Sequence, residues 1–152
     1  MKIIRNSLSG AALLCLIASG HAMAGECQIE IEGDDQMQFN KDELVIDRSC
    51  DEIELTLIHT GELDVQAMGH NVVFTAEEDY DGLAEDAMEA SDDDYVPEGD
   101  ERVVAATDLI GGGESTTLSF SPEKFDADES YLFFCSFPGH AAPMQGEVRF
   151  TD

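Results

Sequence analysis

Short apolar stretches with alternating polar positions run along most of the chain. In residues 29–31 and 53–57 every second side chain is apolar, and this period of two is typical of strands that bury one face. Turns containing Gly, Asp or Pro separate these stretches from others of strand length, which cover residues 44–46, 71–75, 102–107, 116–120, 131–135 and 147–150. About eight short strands in a chain of this length predict an all-β domain, a β-sandwich of the Greek-key kind.

One segment departs from the strand pattern. Between residues 80 and 91, apolar side chains recur at helical spacing and acidic residues occupy the other positions; the apolar ones are Tyr80, Leu83, Ala87 and Met88. This pattern predicts one short amphipathic α-helix inserted between two strands. Three consecutive Asp residues at 92–94 follow and predict a solvated acidic loop.

The first residues have the pattern of a targeting segment. A positively charged start precedes an apolar stretch at 11–18 and the small-x-small sequence Ala-Met-Ala at 22–24. We interpret residues 1–24 as a secretory signal peptide and residues 25–152 as the mature domain. The apolar stretch is too short for a permanent membrane anchor, so we expect a periplasmic protein with no membrane insertion.

The mature domain has an odd number of cysteines. Cys27, Cys50 and Cys135 remain after removal of the first 24 residues. In an oxidising compartment this number suggests one disulfide and one leftover thiol. The parsimonious pairing is Cys27 with Cys50, which leaves Cys135 free.

The charge of the chain is extreme. It has 34 acidic and 7 basic residues, for a formal net charge of −27. Such a charge excludes nucleic acid and an anionic membrane surface as partners. It indicates either steering towards a basic partner or a surface adapted to high salt, where the Debye length falls to about 3 Å and self-repulsion is screened. We favour the high-salt interpretation, although the acid is densest between residues 77 and 101.

One loop carries the chemistry. Cys135, His140 and Met144 are spaced C-x4-H-x3-M, and thiolate, imidazole and thioether together favour copper. A trigonal copper site needs a second imidazole, and His70, at the start of another strand, is the natural donor. His59 is less suitable as the second imidazole because it lies at the end of an alternating strand. A hydrogen-bonded histidine of the core explains this residue at least as well.

Two histidines and one cysteine in a plane, with a distant axial methionine, suit electron transfer. This arrangement lies between the geometries preferred by the two copper oxidation states, so little has to move when an electron does. The backbone N–H groups of Asn71 and Phe137 are well placed to donate to the cysteine sulfur and to tune the potential.

Four stretches of the sequence are similar to the azurin family of bacterial blue-copper proteins: GDDQMQFN at 33–40, MGHN at 68–71, LIG at 109–111 and FFCSFPGH at 133–140. The resemblance implies a Greek-key sandwich with an inserted helix and a disulfide near the N-terminus, which Cys27 and Cys50 fit. It implies copper as the cofactor, and ligands that fall on His70, Cys135, His140 and Met144, with the Gly69 carbonyl as a weak axial ligand.

Three functions are compatible with a copper site, and we favour a monomeric electron carrier. A copper enzyme needs a second metal centre with further histidines, but the mature domain has only His59, His70 and His140. Copper delivery or storage is the alternative, although its sites are usually exposed. The expected partners are redox proteins, c-type cytochromes or a periplasmic reductase, which would dock on an apolar collar around His140 formed by Met37, Leu63, Met68, Met88, Phe137 and Pro143.

Overall fold

The computed structural model describes residues 27–152, which form two β-sheets and two short helices. The strands are β1 (Gln28–Gly33), β2 (Glu43–Asp47), β3 (Ile53–His59), β4 (Val73–Ala76), β5 (Ala105–Ala106), β6 (Ser115–Phe120), β7 (Tyr131–Phe134) and β8 (Gln145–Thr151). The helices are α1 (Val65–Met68) and α2 (Tyr80–Ala87). Three 3-10 turns complete the structure at Glu77–Asp79, Ser91–Asp93 and Pro122–Lys124.

The strands divide into a small and a large sheet. The small sheet has the order β1-β3-β6 and the large sheet the order β2-β8-β7-β4-β5. Pairing is parallel between β1 and β3 and between β2 and β8, and antiparallel elsewhere. Sequence neighbours such as β1 and β2 therefore lie in different sheets, so the chain crosses repeatedly between the layers.

One core fills the space between the sheets. Every second residue of β3 points into this space, and Ile53, Leu55 and Leu57 are completely buried. Their side chains belong to the same cluster as Phe74 and Phe133 of the large sheet. Burying one face of each sheet in this way is the defining feature of a β-sandwich. The predicted all-β Greek-key fold is confirmed.

Helix α2 covers the outer face of the large sheet. All four residues of β4 are buried, because one face contacts the main core and the other faces a second cluster that joins Val73, Leu83 and Phe134. A strand covered on both sides is typically a continuous apolar run, and β4 follows this pattern except at Thr75. The inserted helix is therefore present where the sequence predicted it, although it ends at Ala87 and not near Ser91.

Two strands begin later than predicted, for local reasons. The strand predicted over residues 102–107 is reduced to β5, because the Arg102 side chain and backbone N–H both bind the Asp100 carboxylate and hold the chain in a turn. The predicted strand at 71–75 begins two residues later, since the Val72 N–H donates to the Thr107 hydroxyl and not to a neighbouring strand.

The structure confirms the disulfide between Cys27 and Cys50 and leaves Cys135 as a buried free thiol. The predicted signal peptide, residues 1–24, lies outside the described residues. Within residues 27–152 no helix has the length and apolar character needed to cross a membrane.

Candidate metal centre

The segment with His70 is fixed by its neighbours on both sides. Helix α1 precedes it, and the Asp64 carboxylate caps this helix by accepting from the N–H groups of Gln66 and Ala67. His70 then exchanges two backbone hydrogen bonds with Ile110, each 2.9 Å long. These contacts hold the loop segment that contains His70 against the segment that contains Ile110. They fix the backbone position of the His70 imidazole.

Gly69 lies where a side chain would not fit. A Cβ atom at this position would be 2.7 Å from the Val65 carbonyl oxygen and 2.9 Å from the Phe137 ring. Only glycine lets the two ligand-bearing segments approach so closely.

The second segment is a closed loop after β7. The Cys135 N–H donates to the Met144 carbonyl, and the Met144 N–H donates to the His140 carbonyl, both at 2.9 Å. Gly139 adopts a positive φ of 82°, a conformation that glycine tolerates without strain. The loop therefore returns His140 to the cysteine and ends where β8 begins.

Three side chains meet between these segments. The Cys135 sulfur lies 3.6 Å from Nδ1 of His140 and 3.9 Å from Nδ1 of His70. The three ligand atoms all lie within 4.8 Å of one another, and all three residues are buried. The structure thus brings together the thiol and the two imidazoles that the sequence singled out.

The spacing of these atoms suits a single metal ion. Ligand lengths typical of zinc, about 2.3 Å to sulfur and 2.0 Å to nitrogen, separate the two atoms by about 3.5 to 3.7 Å in trigonal or tetrahedral directions. The observed sulfur–nitrogen distances of 3.6 and 3.9 Å are close to this range. The donor set, one soft thiolate and two imidazoles, is the one that copper prefers.

The His70 ring is oriented for binding through Nδ1. Its Nε2 lies 2.8 Å from the Asp34 carbonyl oxygen, which can only accept, so Nε2 carries the proton and the Nδ1 lone pair faces the sulfur. Such a hydrogen bond from the far nitrogen is the usual support of a metal-bound histidine. Burial lowers the pKa of His70, while the hydrogen bond to Asp34 opposes this effect, so the ring is neutral at pH 7.

His59 packs against His70 and is not one of the three residues of the cluster. Its ring stacks on His70 with 4.2 Å between centroids. Its Nε2 lies 2.7 Å from the Met68 carbonyl oxygen and its Nδ1 accepts from the Gly61 N–H at 3.1 Å. Both ring nitrogens are thus occupied, which agrees with the interpretation of a hydrogen-bonded core histidine.

His140 is held more loosely. Its ring contacts Phe137 at 4.8 Å and His70 at 5.1 Å between centroids. Within the part of the chain that the structure describes, its Nε2 has no hydrogen-bond partner, and this atom is not among the buried unsatisfied ones. The outer edge of the ring therefore reaches the surface. Burial, aided by the nearby His70, lowers the pKa of His140 to about 4.

The Cys135 thiol has the environment of a ligand that needs a metal. Burial raises its pKa to about 11, although hydrogen bonds from the backbone N–H groups of Asn71 and Phe137 oppose the shift. A coordinating metal ion deprotonates a thiol outright. The two N–H groups that the sequence predicted as donors to the sulfur thus contribute to its electrostatics.

A buried pair of hydrogen bonds joins the two segments. The Asn71 side chain accepts from the Ser136 N–H at 2.9 Å and donates to the Ser136 hydroxyl at 2.8 Å. No sequence pattern singles out Ser136 or the Asp34 carbonyl as a partner of these segments. Both contacts keep His70 and Cys135 at a constant separation.

The two groups predicted as axial ligands belong to the same two segments as the three ligand residues. The Gly69 carbonyl oxygen is 3.8 Å from the Cys135 sulfur. Met144 is completely buried, and its backbone is paired with Cys135 and His140.

The residues predicted to form an apolar collar are at the surface. Leu63 is 44% and Met88 53% exposed, and Met37 is 37% exposed. Pro143 is also exposed, while Met68 and Phe137 are half-buried. None of the six is a core residue.

A sandwich of this topology, with a buried Cys-His-His cluster between a loop and a neighbouring segment, defines a cupredoxin. Residues 25–151 match the family of copper binding proteins described as the plastocyanin/azurin family, and the chain belongs to that family. Copper is therefore the cofactor for which the cluster is suited.

Individual relatives agree with this assignment. The azurin of Alcaligenes faecalis is 48% identical over 124 residues, which cover 81% of this chain and 97% of that protein. The azurin of Achromobacter denitrificans is 44% identical over 142 residues, 93% of this chain and 95% of that protein. The outer membrane protein H.8 of Neisseria gonorrhoeae is 46% identical over 129 residues, 85% of this chain and 70% of that protein.

Proposed function

We propose that this chain is an exported carrier of single electrons, with residues 25–152 as its mature domain. In this proposal the copper ligands are His70, Cys135, His140 and Met144, with the Gly69 carbonyl as a weak axial ligand. The observation that supports it best is the convergence of one buried sulfur and two imidazole nitrogens within 4.8 Å. Copper supplies a one-electron couple between Cu(II) and Cu(I) when bound to such a set.

The residues around the cluster are arranged to change little during electron exchange. The hydrogen bond to Asp34 and the stacking on His59 fix His70, and the Asn71–Ser136 pair fixes the loop. Because these contacts do not depend on the oxidation state, they keep the reorganisation small. The N–H groups of Asn71 and Phe137 stabilise negative charge on the sulfur.

His140 is the route by which electrons enter and leave in this proposal. The ring lies against the sulfur through Nδ1, and the residue keeps a small exposed fraction of 3%, whereas His70 and Cys135 have none. The exposed side chains of Met37 and Met88 line grooves that include residues of the His140 loop, and they would let a partner approach without displacing tightly bound water.

Two observations favour a carrier over the other copper functions. In residues 27–152, one group of His, Cys, Asp and Glu side chains is spaced to hold a metal, and it is the cluster described above. A copper enzyme would need a second centre. Copper delivery requires exchange with other proteins, but the Cys135 sulfur and both imidazoles are buried and tied to different segments.

The proposal extends to location and partners. A periplasmic location follows from the interpretation of residues 1–24 as a signal peptide. The partners would be redox proteins, with c-type cytochromes or a periplasmic reductase as the expected kinds, and the strong negative charge favours a monomer through mutual repulsion.

The test is to add one equivalent of Cu(II) to purified residues 25–152 and to record visible absorption and EPR spectra. We expect an intense blue band and a narrow copper hyperfine splitting, both lost with ascorbate and recovered with ferricyanide. A pale Cu(II) spectrum, or copper that is not reduced reversibly, would contradict the proposal.

A Cys135→Ser variant tests the ligand assignment. Because the blue band needs a copper–thiolate bond, it should disappear in this variant, while the far-UV circular dichroism of the sandwich stays unchanged. Retention of the blue colour would rule out Cys135 as the ligand.

A further inference from the structure

A five-residue turn connects His140 to Met144, and we call residues 140–144 the ligand turn. The Met144 N–H closes it by donating to the His140 carbonyl oxygen, and the Cys135 N–H holds the Met144 carbonyl oxygen at the end of β7. The His140 end has a different connection, because the His140 N–H donates to Phe137 of the same loop. Backbone bonds therefore fix the Met144 end to the sandwich but not the His140 end.

One side chain from a distant element reaches the ligand turn. The hydroxyl of Tyr80, the first residue of α2, donates to the Ala141 carbonyl oxygen at 2.8 Å. Among the hydrogen bonds of residues 27–152, this is the only one that joins the ligand turn to an element beyond its own loop and the flanking strands. Because Ala141 directly follows His140, the bond acts at the end of the turn that the backbone leaves free.

The Tyr80 ring has a fixed position. It packs edge-on against Phe134, with 5.2 Å between centroids and 89° between the ring planes, and Phe134 is completely buried. Tyr80 and Ala141 both pack against the cluster of Val73, Leu83 and Phe134. The bond to the ligand turn therefore does not require the ordering of a mobile side chain, which would cost conformational entropy.

The Tyr80 hydroxyl is a donor at neutral pH. Burial raises the pKa of Tyr80, and the negative charge of Asp81 adds to this effect. A carbonyl oxygen can only accept, so the bond to Ala141 needs the protonated phenol. The bond is therefore present under the conditions in which the proposed carrier works.

The other two tyrosines of the chain make different contacts. The Tyr131 hydroxyl accepts from the Asp126 N–H and donates to the Glu129 carboxylate, just before β7. The Tyr95 ring packs on Phe137 with 5.2 Å between centroids, but within residues 27–152 its hydroxyl forms no hydrogen bond. Replacing each tyrosine with phenylalanine thus separates the loss of a hydroxyl from the loss of the bond to the ligand turn.

We propose that Tyr80 is a positioning residue of the metal centre. Its hydroxyl holds the His140 end of the ligand turn through the Ala141 carbonyl. In this inference, which rests on the proposed function, helix α2 does more than cover β4. It keeps the His140 imidazole at a constant distance from the Cys135 sulfur, with or without copper.

Hydrogen exchange of the copper-free protein provides the first test. Tyr80→Phe removes the hydroxyl and keeps the ring, so the ligand turn should open more often while β3 does not. We expect the protection of the Met144 N–H, relative to that of the β3 amides, to fall by about threefold to tenfold, the weight of one hydrogen bond.

Tyr131→Phe and Tyr95→Phe are the matched controls for this exchange experiment. Each should change the same ratio by less than about twofold, because neither hydroxyl contacts the ligand turn. The β3 amides correct for any loss of global stability. An unchanged ratio in Tyr80→Phe, or an equal fall in all three variants, would overturn the inference.

The rate of copper loss provides the second test. Copper-loaded protein is reduced with ascorbate and mixed with an excess of a sulfonated phenanthroline, which absorbs visible light when it binds Cu(I). Because His140 must move for the chelator to reach the ion, Tyr80→Phe should lose copper about threefold to tenfold faster than wild type and the two control variants less than about twofold faster. Equal rates in wild type and Tyr80→Phe would contradict a role in positioning His140.

The failure of this inference can be distinguished from failure of the proposed function. The exchange experiment needs no copper, whereas the blue band and reversible reduction test the carrier. If both spectroscopic signs are present and Tyr80→Phe behaves like the two control variants, the chain carries electrons but Tyr80 does not position His140. A lowered exchange ratio without a blue band would instead support the contact and contradict the carrier.

Discussion

The two imidazoles of the cluster are held in different ways. His70 is completely buried, donates from Nε2 to the Asp34 carbonyl and stacks on His59. His140 contacts Phe137 of its own loop and the His70 ring, and within residues 27–152 its Nε2 has no hydrogen-bond partner. One ring is thus part of the protein core, while the other connects the cluster to solvent.

This difference shows how a single fold can separate two tasks. A rigid His70 fixes the position of the thiol and of the first nitrogen before any metal binds. In the proposed function His140 is the route for electrons, because its ring contacts the sulfur through Nδ1 and is not completely buried. The variants below test this division, beginning with the largest expected effect.

Replacing His70 or His140 with alanine should lower the free energy of unfolding of the copper-free protein by different amounts. We expect His70→Ala to lower the free energy of unfolding by about 3 kcal/mol, through the cavity and the unsatisfied Asp34 carbonyl, and His140→Ala by about 1 to 2 kcal/mol. Urea denaturation of both variants provides the comparison. A cost for His140→Ala equal to that for His70→Ala would contradict the division.

Gly33→Ala should disturb the His70 side alone. The new Cβ would lie 2.7 Å from Cδ2 of His70, and the stacked ring cannot move away freely, so we expect a loss of about 1 to 2 kcal/mol and a shift of the blue band. As a control, Gly82→Ala in α2 should leave the spectrum unchanged. Helix propensity favours this substitution by about 0.5 to 1 kcal/mol, offset by the small shift required of the Arg102 guanidinium, 3.1 Å from the new Cβ. An unchanged spectrum in Gly33→Ala would show that His70 is not constrained as described.

Met144→Leu changes the loop side without changing its volume greatly. It should retain copper and raise the reduction potential by roughly 60 mV, which corresponds to a tenfold change in the relative affinity for the two oxidation states. Voltammetry of this variant, with the exposed Met88→Leu as the control, provides the measurement. Equal potentials for Met144→Leu and wild type would exclude Met144 as an axial ligand.

The pH dependence of stability should also report on His140. Burial lowers its pKa to about 4, whereas an unfolded histidine binds a proton near pH 6.5. The unfolded state therefore binds more protons between these values, and the free energy of unfolding should decline as the pH falls from about 6.5 to about 4.

The effect is measured as a slope over a narrow pH range, to which the many carboxylates of the chain also contribute. Copper-free His140→Ala should show a shallower decline than wild type over the same range in urea titrations. Identical slopes would mean that the pKa of His140 is not lowered by the fold.

Much of the fold could be predicted from the sequence because alternation is a local signal. The buried residues of β3 occupy every second position, and all four residues of β4 are buried because α2 covers its second face. Helix α1 has only four residues, too few to show a helical period, so the pattern of apolar residues does not predict it. Asp64, which caps it, is the one signal that could have indicated its start.

The site was predictable only as far as side-chain chemistry identifies it. Cys135, His140 and Met144 stand out because soft ligands share one loop. The acceptor that orients His70 is a backbone carbonyl, that of Asp34, and every residue has one, so sequence gives no reason to select it. The bond between Asn71 and Ser136 likewise depends on tertiary contacts between distant segments.

X-ray absorption at the copper edge tests the central claim most directly. In copper-loaded protein we expect one sulfur and two histidine nitrogens as the near ligands, with almost the same distances in the Cu(II) and Cu(I) forms, and no near sulfur in Cys135→Ser. A wild-type spectrum with only oxygen and nitrogen neighbours, or with a ligand set that changes on reduction, would contradict the account.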